Sequence, residues 1–515
     1  MISLATHSRS KPVKAATPAG TQSRALRMKP EQMYARLLAS DASYNGEFFV
    51  GVLSTGIYCL PSCHAKKPML KNVRFFPDCE SARAAGLRPC RKCHPDDFER
   101  GADPVLESIE ALVAEVRAKP EAFADARAVV KRSGFGATRL FELFRQHYHT
   151  TPADLLLAAR IDAAKRRLLA TNSGLATIAY DAGFETLSVF HENFRRLNGM
   201  TPAAYRALCS GDRFEITLPE GFELGYLRRA LGRDMHSVTE RLEGTSYTAG
   251  IRLGVSPAIL TLRLTPGSVT ASITPHGDNS SLLLSQPDTL PAVHAMVIGL
   301  LGLEQDAKAF ARLAKRLGLA RLVADRPELR ISQTHSVFDG LLWSIIGQQI
   351  NFPFACLLRS RLIELAGTPL VTMDGRTLYA PPTPDAVAAL SPADLVPLQF
   401  SRQKADYVID TARLVASGAL DLTALRAMSA TRAARTLLAI RGLGPWSVNY
   451  VMMRALGFGD CLPLGDTGVT SGLQSLLQLE ERPDADATLR LMAVFSPHRS
   501  LATAHLWQLN QPIPV

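Results

Sequence analysis

The fold is decided by residues 437–450, Leu-Leu-Ala-Ile-Arg-Gly-Leu-Gly-Pro-Trp-Ser-Val-Asn-Tyr. Gly442 and Gly444 form a Gly-x-Gly turn, and the residues on both sides are apolar at helical spacing. This pattern predicts two helices joined by a tight hairpin. The amides of the turn and the N-terminus of the second helix can bind a phosphate of DNA without reading its sequence.

An acidic residue follows this hairpin at a defined distance. Residues 462–469 read Leu-Pro-Leu-Gly-Asp-Thr-Gly-Val, with Asp466 twenty positions after Trp446. A Gly-x-Gly turn alone is weak evidence, whereas its pairing with an aspartate is more specific. An Asp after Gly is also typical of a helix N-cap, a role that can coexist with catalysis.

The hairpin and its aspartate resemble the helix–hairpin–helix DNA glycosylases, and most closely the AlkA-type 3-methyladenine glycosylases. The resemblance extends over about residues 213–515 and includes the segments 341–350 and 497–507. It implies that Asp466 is the catalytic carboxylate, which stabilises positive charge at C1′ as the base leaves, or activates water. It also implies that residues 211–290 form a small α/β domain before the glycosylase domain.

The same resemblance points to the base pocket. Glycosylases that also cleave the strand carry a lysine where this chain has Trp446, so we expect a hydrolase without lyase activity. Trp446, Tyr450 and Trp507 are pocket candidates because aromatic faces attract cationic alkylated purines, although on spacing alone each fits a core position. The loop at residues 347–351 is expected to supply the wedge that fills the gap left by the flipped base. Gln349 stands there, where some relatives use an apolar residue.

Four of the eight cysteines, Cys59, Cys63, Cys90 and Cys93, lie within 35 residues. Two close pairs separated by a loop predict one tetrahedral Zn²⁺ site, which on this spacing alone would be structural. Because no cysteine follows position 461, the iron–sulfur cluster of some helix–hairpin–helix glycosylases is not expected.

Residues 30–104 resemble the N-terminal domain of the Ada-type DNA-alkylation sensor. The resemblance is carried by Thr-Gly-Ile-Tyr-Cys-Leu-Pro-Ser-Cys at 55–63 and Gly-Leu-Arg-Pro-Cys-Arg-Lys-Cys-His-Pro-Asp at 86–96. It implies that Cys59 accepts a methyl group from a methylphosphotriester in DNA, once per protein molecule. The site would thereby lose one negative charge, which raises its affinity for DNA.

Residues 105–210 resemble the AraC-type DNA-binding module, two helix-turn-helix units joined by a helix. The second unit carries the pattern, with Ile-Ala-Tyr-Asp-Ala-Gly-Phe at 178–184 and Ser-Val-Phe-His-Glu-Asn-Phe-Arg-Arg at 188–196. Candidate contacts to bases or phosphates are Thr186, Ser188, His191 and Arg195. A solvated helix face explains each of these residues equally well.

The composition agrees with these motifs and excludes other classes. A chain that is 47% hydrophobic is not wholly disordered, and eight cysteines in 515 residues are too few for a disulfide scaffold. The sequence contains no run of about 18 apolar residues, so no membrane-spanning helix is predicted. The net charge of +11 favours an anionic partner. Residues 1–29 are basic and lack acids, which favours a disordered tail over a transit peptide, and the expected location is the cytosol.

The sequence therefore predicts a multidomain α+β protein. The expected parts are a disordered tail (1–29), a zinc-binding methyl-acceptor domain (30–104), a double helix-turn-helix domain (105–210), a small α/β domain (211–290) and an all-α glycosylase domain (291–515). Its expected partners are alkylated and promoter double-stranded DNA, with RNA polymerase as a further candidate and no membrane. Two alternatives remain open: a transcription regulator with an inactive glycosylase half, and a zinc site that accepts no methyl group.

Overall fold

The computed structural model describes residues 28–41, 44–63, 65–277 and 286–509. The chain divides into two compact units, residues 1–108 and residues 109–515. The segment expected to be a disordered tail lies, up to residue 27, outside the described residues. Among the residues that the structure describes, every helix is too short or too polar to span a lipid bilayer.

The first unit is built on a small four-stranded sheet. Its elements are α1 (Pro30–Leu38), β1 (Phe49–Val52), β2 (Ile57–Cys59), β3 (Val73–Phe76), α2 (Cys79–Ala84), β4 (Arg88–Pro89) and α3 (Pro95–Glu99). The strand order is β3-β1-β2-β4, with β2 and β4 parallel and Tyr58 opposite Pro89. Since Cys59 ends β2 and Cys90 directly follows β4, this pairing brings the two cysteine pairs together.

Seven α-helices follow in the region that resembles a double helix-turn-helix module. They are α4 (Pro104–Ala118), α5 (Ala126–Ser133), α6 (Ala137–Tyr148), α7 (Pro152–Ala170), α8 (Leu175–Asp181), α9 (Leu187–Asn198) and α10 (Pro202–Arg206). Threonine hydroxyls cap α7, α9 and α10 by accepting backbone amides. Phe190 and Phe194, one turn apart on α9, are fully buried and anchor this helix to the core.

A five-stranded antiparallel sheet follows the helices, in the order β5-β9-β8-β7-β6. Its elements are β5 (Arg213–Thr217), α11 (Leu224–Leu231), β6 (Glu240–Glu243), β7 (Ser246–Leu253), β8 (Ser256–Thr265) and β9 (Ser268–Pro275). Apolar and polar residues alternate in residues 259–264 and 269–273, a pattern typical of strands, and these residues lie in β8 and β9. The sheet shares one apolar core with α7–α10, and Gly199 at the end of α9 accepts the amide of Thr217 in β5 at 2.7 Å.

The remainder of the chain is mainly helical. The helices are α12 (Thr289–Leu301), α13 (Ala307–Arg316), α14 (Val337–Ile346), α15 (Phe352–Ala366), α16 (Pro384–Ala388), α17 (Pro392–Leu395), α18 (Arg402–Ala416), α19 (Leu422–Ala427), α20 (Ala430–Leu438), α21 (Pro445–Arg454), α22 (Thr467–Leu477), α23 (Ala485–Ala493) and α24 (Arg499–Leu509). One large apolar cluster runs from α13 to α24 and fixes these helices around a common core.

A short hairpin, β10 (Thr368–Val371) and β11 (Thr377–Ala380), interrupts this helical part and is missing from the all-α expectation. Asp374 and Gly375, with φ of 78° at the glycine, make its turn. An Asp-Gly pair between two β-prone runs is a hairpin signal that the sequence contained. The hairpin packs on the five-stranded sheet, where Tyr379 donates its amide to Val238.

Within the second unit, the helix-turn-helix region contacts the helical part directly. Glu110 of α4 pairs with Arg432 of α20 at 2.9 Å, and His147 of α6 is hydrogen-bonded to Thr431 at 2.8 Å. His149 accepts the amide of Asp460 at 3.2 Å. These contacts join residues about 300 positions apart in the chain, so the second unit is one packed body.

Candidate active site and metal centre

The predicted hairpin lies between α20 and α21. Gly442 has a φ of 95°, a conformation that favours glycine, and a Cβ added there would lie 2.4 Å from the ring of Tyr407. Gly444 is the N-cap of α21, and Pro445 is its first residue. No described side chain caps the start of α21, so its first-turn amides can serve a phosphate.

Asp466 is both the N-cap of α22 and the acceptor of two indole N–H groups. Its Oδ1 accepts the Val469 amide at 3.0 Å and Trp507 Nε1 at 2.8 Å, while its Oδ2 accepts Trp446 Nε1 at 3.1 Å. Gly468 leaves room for the Trp507 indole, because a Cβ there would lie 2.6 Å from it. Three donors from three segments thus fix the orientation of one carboxylate.

Aromatic rings surround this carboxylate. Tyr450 stacks on Trp446 with 5.3 Å between ring centroids and lies 6.5 Å from Trp507. Trp343 donates its Nε1–H to the Tyr450 hydroxyl at 2.9 Å. All three tryptophans of the chain therefore meet here. The sequence reasoning selected Trp446, Tyr450 and Trp507 but missed Trp343, although its segment, 341–350, was part of the resemblance.

These groups line a cleft of about 1570 Å³. The hairpin turn and the loop at residues 347–351 form part of its wall. A further wall comes from Tyr226 and Arg229 of α11 and from Arg233, which follows this helix. Sequence reasoning did not select any residue of α11, because nothing in its apolar pattern distinguishes a cleft wall from a core face. The cleft combines aromatic surface, one carboxylate and several cations.

Gln349 lies at the tip of the loop that enters this cleft. It is exposed, with a φ of 56°. The neighbouring Gln348 is bonded to the hairpin: it donates its Nε2–H to Gly442 O at 2.7 Å and to Ser447 Oγ at 2.9 Å. Gln349 is therefore brought to the cleft with Asp466, as the wedge hypothesis requires.

The four predicted ligands meet in the first unit. The sulfur atoms of Cys59, Cys63, Cys90 and Cys93 all lie within 4.8 Å of one another, and only Cys93 is not buried. Sulfurs of a tetrahedral zinc site, with Zn–S bonds near 2.3 Å, are separated by about 3.8 Å, so the four residues fit Zn²⁺. The fifth cysteine of this unit, Cys79, is fully buried in a separate apolar cluster.

Hydrogen bonds distinguish the four sulfurs. Leu60 donates its amide to Cys93 Sγ and Lys92 donates its amide to Cys90 Sγ, each at 3.4 Å. Among the hydrogen bonds of the described residues, no such amide bond reaches Cys59 Sγ. Lys67 donates to the Cys63 carbonyl at 2.7 Å, and burial lowers the pKa of this lysine. Within the described part of the chain, Cys59 thus lacks the backbone hydrogen bond that the sulfurs of Cys90 and Cys93 accept.

The four candidate residues of the helix-turn-helix region lie along α9, from its N-cap Thr186 to Arg195 in its last turn. The Thr186 hydroxyl accepts the Val189 amide at 3.3 Å and caps the helix. Ser188 and Arg195 are exposed, while His191 is partly buried with its ring against Phe190. The structure therefore gives Thr186 a local structural role and leaves Ser188 and Arg195 open to a partner.

Comparison with known proteins identifies three regions of the chain in order. The family model described as "Metal binding domain of Ada" matches residues 32–96, "Helix-turn-helix domain" matches residues 129–208, and "HhH-GPD superfamily base excision DNA repair protein" matches residues 342–497. The matches define a DNA repair protein of the helix–hairpin–helix type with fused regulatory domains.

Three curated relatives extend this result. A "Probable bifunctional transcriptional activator/DNA repair enzyme AlkA" from Mycobacterium tuberculosis is 29% identical and covers 94% of this chain and 97% of its own. "DNA-3-methyladenine glycosylase" from Bacillus subtilis is 28% identical, covering 58% of this chain and 97% of its own. "Bifunctional transcriptional activator/DNA repair enzyme AdaA" from Bacillus subtilis is 31% identical, covering 35% of this chain and 84% of its own. The chain belongs to the family of bifunctional transcriptional activator/DNA repair enzymes.

Proposed function

We propose that the second unit hydrolyses the glycosidic bond of alkylated purines in duplex DNA, 3-methyladenine among them, without cleaving the strand. The observation that carries the proposal is the Asp466 carboxylate, held by two indole N–H groups in an aromatic cleft beside the hairpin. Relatives named as 3-methyladenine glycosylases support the substrate class.

In the proposed reaction, the hairpin amides hold a phosphate while the damaged base enters the cleft. Electrons of the C1′–N bond pass to the cationic base, which leaves neutral, and the negative charge of Asp466 stabilises the positive charge that develops at C1′. Water then adds to C1′ and releases its proton to solvent through the carboxylate. Trp446 and Tyr450 present aromatic faces that favour a cationic purine over a neutral one.

The absence of lyase activity is part of the proposal. A lyase needs a primary amine that attacks C1′ and forms a Schiff base. Trp446 occupies the hairpin position where strand-cleaving relatives are expected to carry that lysine. An intact abasic strand after base release would support this assignment, and a strand break without added alkali would contradict it.

We further propose that the first unit holds one zinc ion in Cys59, Cys63, Cys90 and Cys93, with no iron–sulfur cluster in the chain. Bound zinc would keep these thiols deprotonated and nucleophilic. The Cys59 sulfur attacks the methyl carbon of a methylphosphotriester, the C–O bond breaks, and its electron pair remains on the phosphate. The thioether that forms carries no charge, so repulsion of DNA phosphate falls.

The regulatory part of the proposal follows from the same chain. Residues 105–210 would bind promoter DNA through α9, on which Ser188 and Arg195 are exposed. RNA polymerase and a cytosolic location are further expectations from the sequence. The proposed division into 30–104, 105–210, 211–290 and 291–515 assigns sensing, promoter binding and excision to successive parts.

The test is base release from methylated duplex DNA by wild type and by Asp466→Asn. Wild type should release methylated purines, and the variant, which keeps the shape of the side chain but not its charge, should lose at least about 100-fold in rate. If wild type releases nothing, the glycosylase half is inactive and the chain is a regulator only. Mass spectrometry of Cys59 after incubation with methylphosphotriester DNA tests sensing separately: an unmodified Cys59 would leave the zinc with a structural role alone.

A further inference from the structure

The loop at residues 347–351, here called the wedge loop, joins α14 to α15 and carries Gln349 into the cleft. We propose that Lys404 and Gln348 are positioning residues that hold this loop against the hairpin, so that phosphate binding and base extrusion occur on one rigid surface. The inference rests on the proposed glycosylase function and deepens it. Neither residue was selected from the sequence.

Lys404 anchors the wedge loop from the first turn of α18. Its Nζ donates to Ile346 O at 2.6 Å and to Gln348 O at 3.1 Å, so it binds the last carbonyl of α14 and a carbonyl of the loop itself. A cation at a helix C-terminus also interacts favourably with the helix dipole. The ammonium is half-buried, and its removal from water lowers the pKa of Lys404. Such burial of a charge is unfavourable unless these carbonyls compensate it.

Gln348 anchors the loop from the opposite side. Its amide nitrogen donates to Gly442 O in the hairpin turn at 2.7 Å and to Ser447 Oγ at 2.9 Å. Ser447 lies in the first turns of α21 and is buried, and its hydroxyl reaches Ser344 O in α14 at 3.5 Å. Gln348 thereby joins the wedge loop by a hydrogen bond to the turn whose amides are proposed to bind a DNA phosphate.

Gln349 stands directly beside these anchors. Its φ of 56° is a left-handed conformation that costs a non-glycine residue energy and persists only where the surroundings enforce it. The carbonyl and side chain of Gln348 are both fixed, which leaves the Gln349 side chain directed to the exposed side of the loop. A polar wedge fills a gap less well than an apolar one, so a rigid support is more important for this chain.

The consequence is specific to paired substrates. A wedge is needed to push a base out of a duplex and to fill its place, but not to act on a base that is already outside the stack. Loosening the wedge loop should therefore slow excision of a paired base and spare excision of an unpaired one. The loss of a catalytic group would slow both.

The experiment compares two duplexes that contain one N7-methylguanine, either paired with cytosine or extruded as a single-nucleotide bulge. The full-length variant Lys404→Met should lower the single-turnover rate on the paired duplex by about 10- to 100-fold and on the bulge by about threefold at most. Lys404→Arg, which retains donors for the two carbonyls, should recover most of the loss. Arg402 is exposed on the same helix turn, so Arg402→Met removes the same charge without touching the wedge loop and should keep the ratio of the two rates at the wild-type value.

Gln348→Glu is a second variant, which keeps the side-chain size and removes the N–H donors, and it should show the same selective loss. Fluorescence of a 2-aminopurine placed beside the lesion should report less base extrusion with both variants. Equal losses on the two duplexes, or a wild-type rate for Lys404→Met on the paired duplex, would overturn the inference. If wild type releases no base while the fluorescence still depends on Lys404, the proposed glycosylase function fails and the positioning role stands.

Discussion

The four-cysteine centre and the Asp466 cleft are built in opposite ways. The cysteines lie within 35 residues and meet because two short strands, β2 and β4, pair side by side. The cleft draws its walls from segments between Tyr226 and Gln508, which the packing of the whole second unit brings together. A local site of this kind depends on its metal, whereas a dispersed site depends on the stability of the fold around it.

Metal removal should give the largest difference between the two sites. Binding of structural zinc contributes on the order of 10 kcal/mol to the folding of small zinc domains, so a strong chelator or Cys63→Ala should unfold the first unit. Base release should persist, because all cleft residues lie in the second unit. Limited proteolysis with a base-release assay on the same sample checks both statements. Protection of residues 28–108 in the chelated protein would contradict the dependence on metal.

Acid should lower the stability of the second unit. Burial lowers the pKa of His149 and of His294 to about 4, and that of His505 to about 3. Below about pH 6.5 these imidazoles bind protons in the unfolded chain while the folded chain keeps them neutral, so stability falls as the pH drops from 6.5 toward 4. At pH 5 each should cost about 2 kcal/mol.

Urea unfolding at pH 7 and pH 5 measures this loss. Tryptophan fluorescence reports the second unit, because Trp343, Trp446 and Trp507 all belong to it. His505→Gln removes one titrating group and should make the stability of the second unit less sensitive to acid. An unchanged difference between the two pH values in this variant would show that His505 does not contribute.

The sequence alone predicts all four residues of the cysteine centre but only some of the residues of the cleft. Spacing was enough to select the four cysteines that meet in the first unit, because a metal site often uses residues that are close in the chain. The hairpin and Asp466 came from a short motif and a resemblance, and the structure brings their residues together in the cleft. Trp343, Lys404 and Gln348 could not be selected, because their roles depend on which helices pack together, and local pattern does not encode that.

The sequence does not predict the β10–β11 hairpin for a different reason. Its strands are four residues each and lie inside a long helical region, so the helical pattern on both sides dominated the interpretation. The Asp374-Gly375 turn was readable, but the surface that stabilises the hairpin is the distant β7, where Gly250 allows the backbone of Tyr379 to approach closely. Tertiary packing, more than propensity, decides such short strands.

The two indole N–H groups that bind Asp466 can be removed one at a time, which measures the contribution of each to the rate of base release. Trp446→Phe and Trp507→Phe each keep an aromatic ring but remove one hydrogen bond to Asp466, so each should lower the single-turnover rate of base release by about 10- to 100-fold. Trp343→Phe removes a bond to the Tyr450 hydroxyl instead and should cost less. Similar losses in all three variants would indicate that ring packing, and not the orientation of the carboxylate, explains the effect.

The two hairpin glycines should differ in stability although they are only two residues apart. Gly442→Ala forces a side chain into a left-handed conformation and against the Tyr407 ring, and should lower the free energy of unfolding by about 1–3 kcal/mol. At Gly444 the φ is −92° and no heavy atom lies within 4 Å of an added Cβ, so Gly444→Ala should change stability by less than about 1 kcal/mol. Urea unfolding followed by tryptophan fluorescence measures both.

Because Gly442 also presents its carbonyl to Gln348, a shift of the turn in Gly442→Ala should weaken the link to the wedge loop. The rate of base release by this variant should therefore fall more on paired than on bulged DNA. Equal stability of the two variants would mean that the hairpin relaxes freely, which a turn bonded to the wedge loop and packed on Tyr407 should not do.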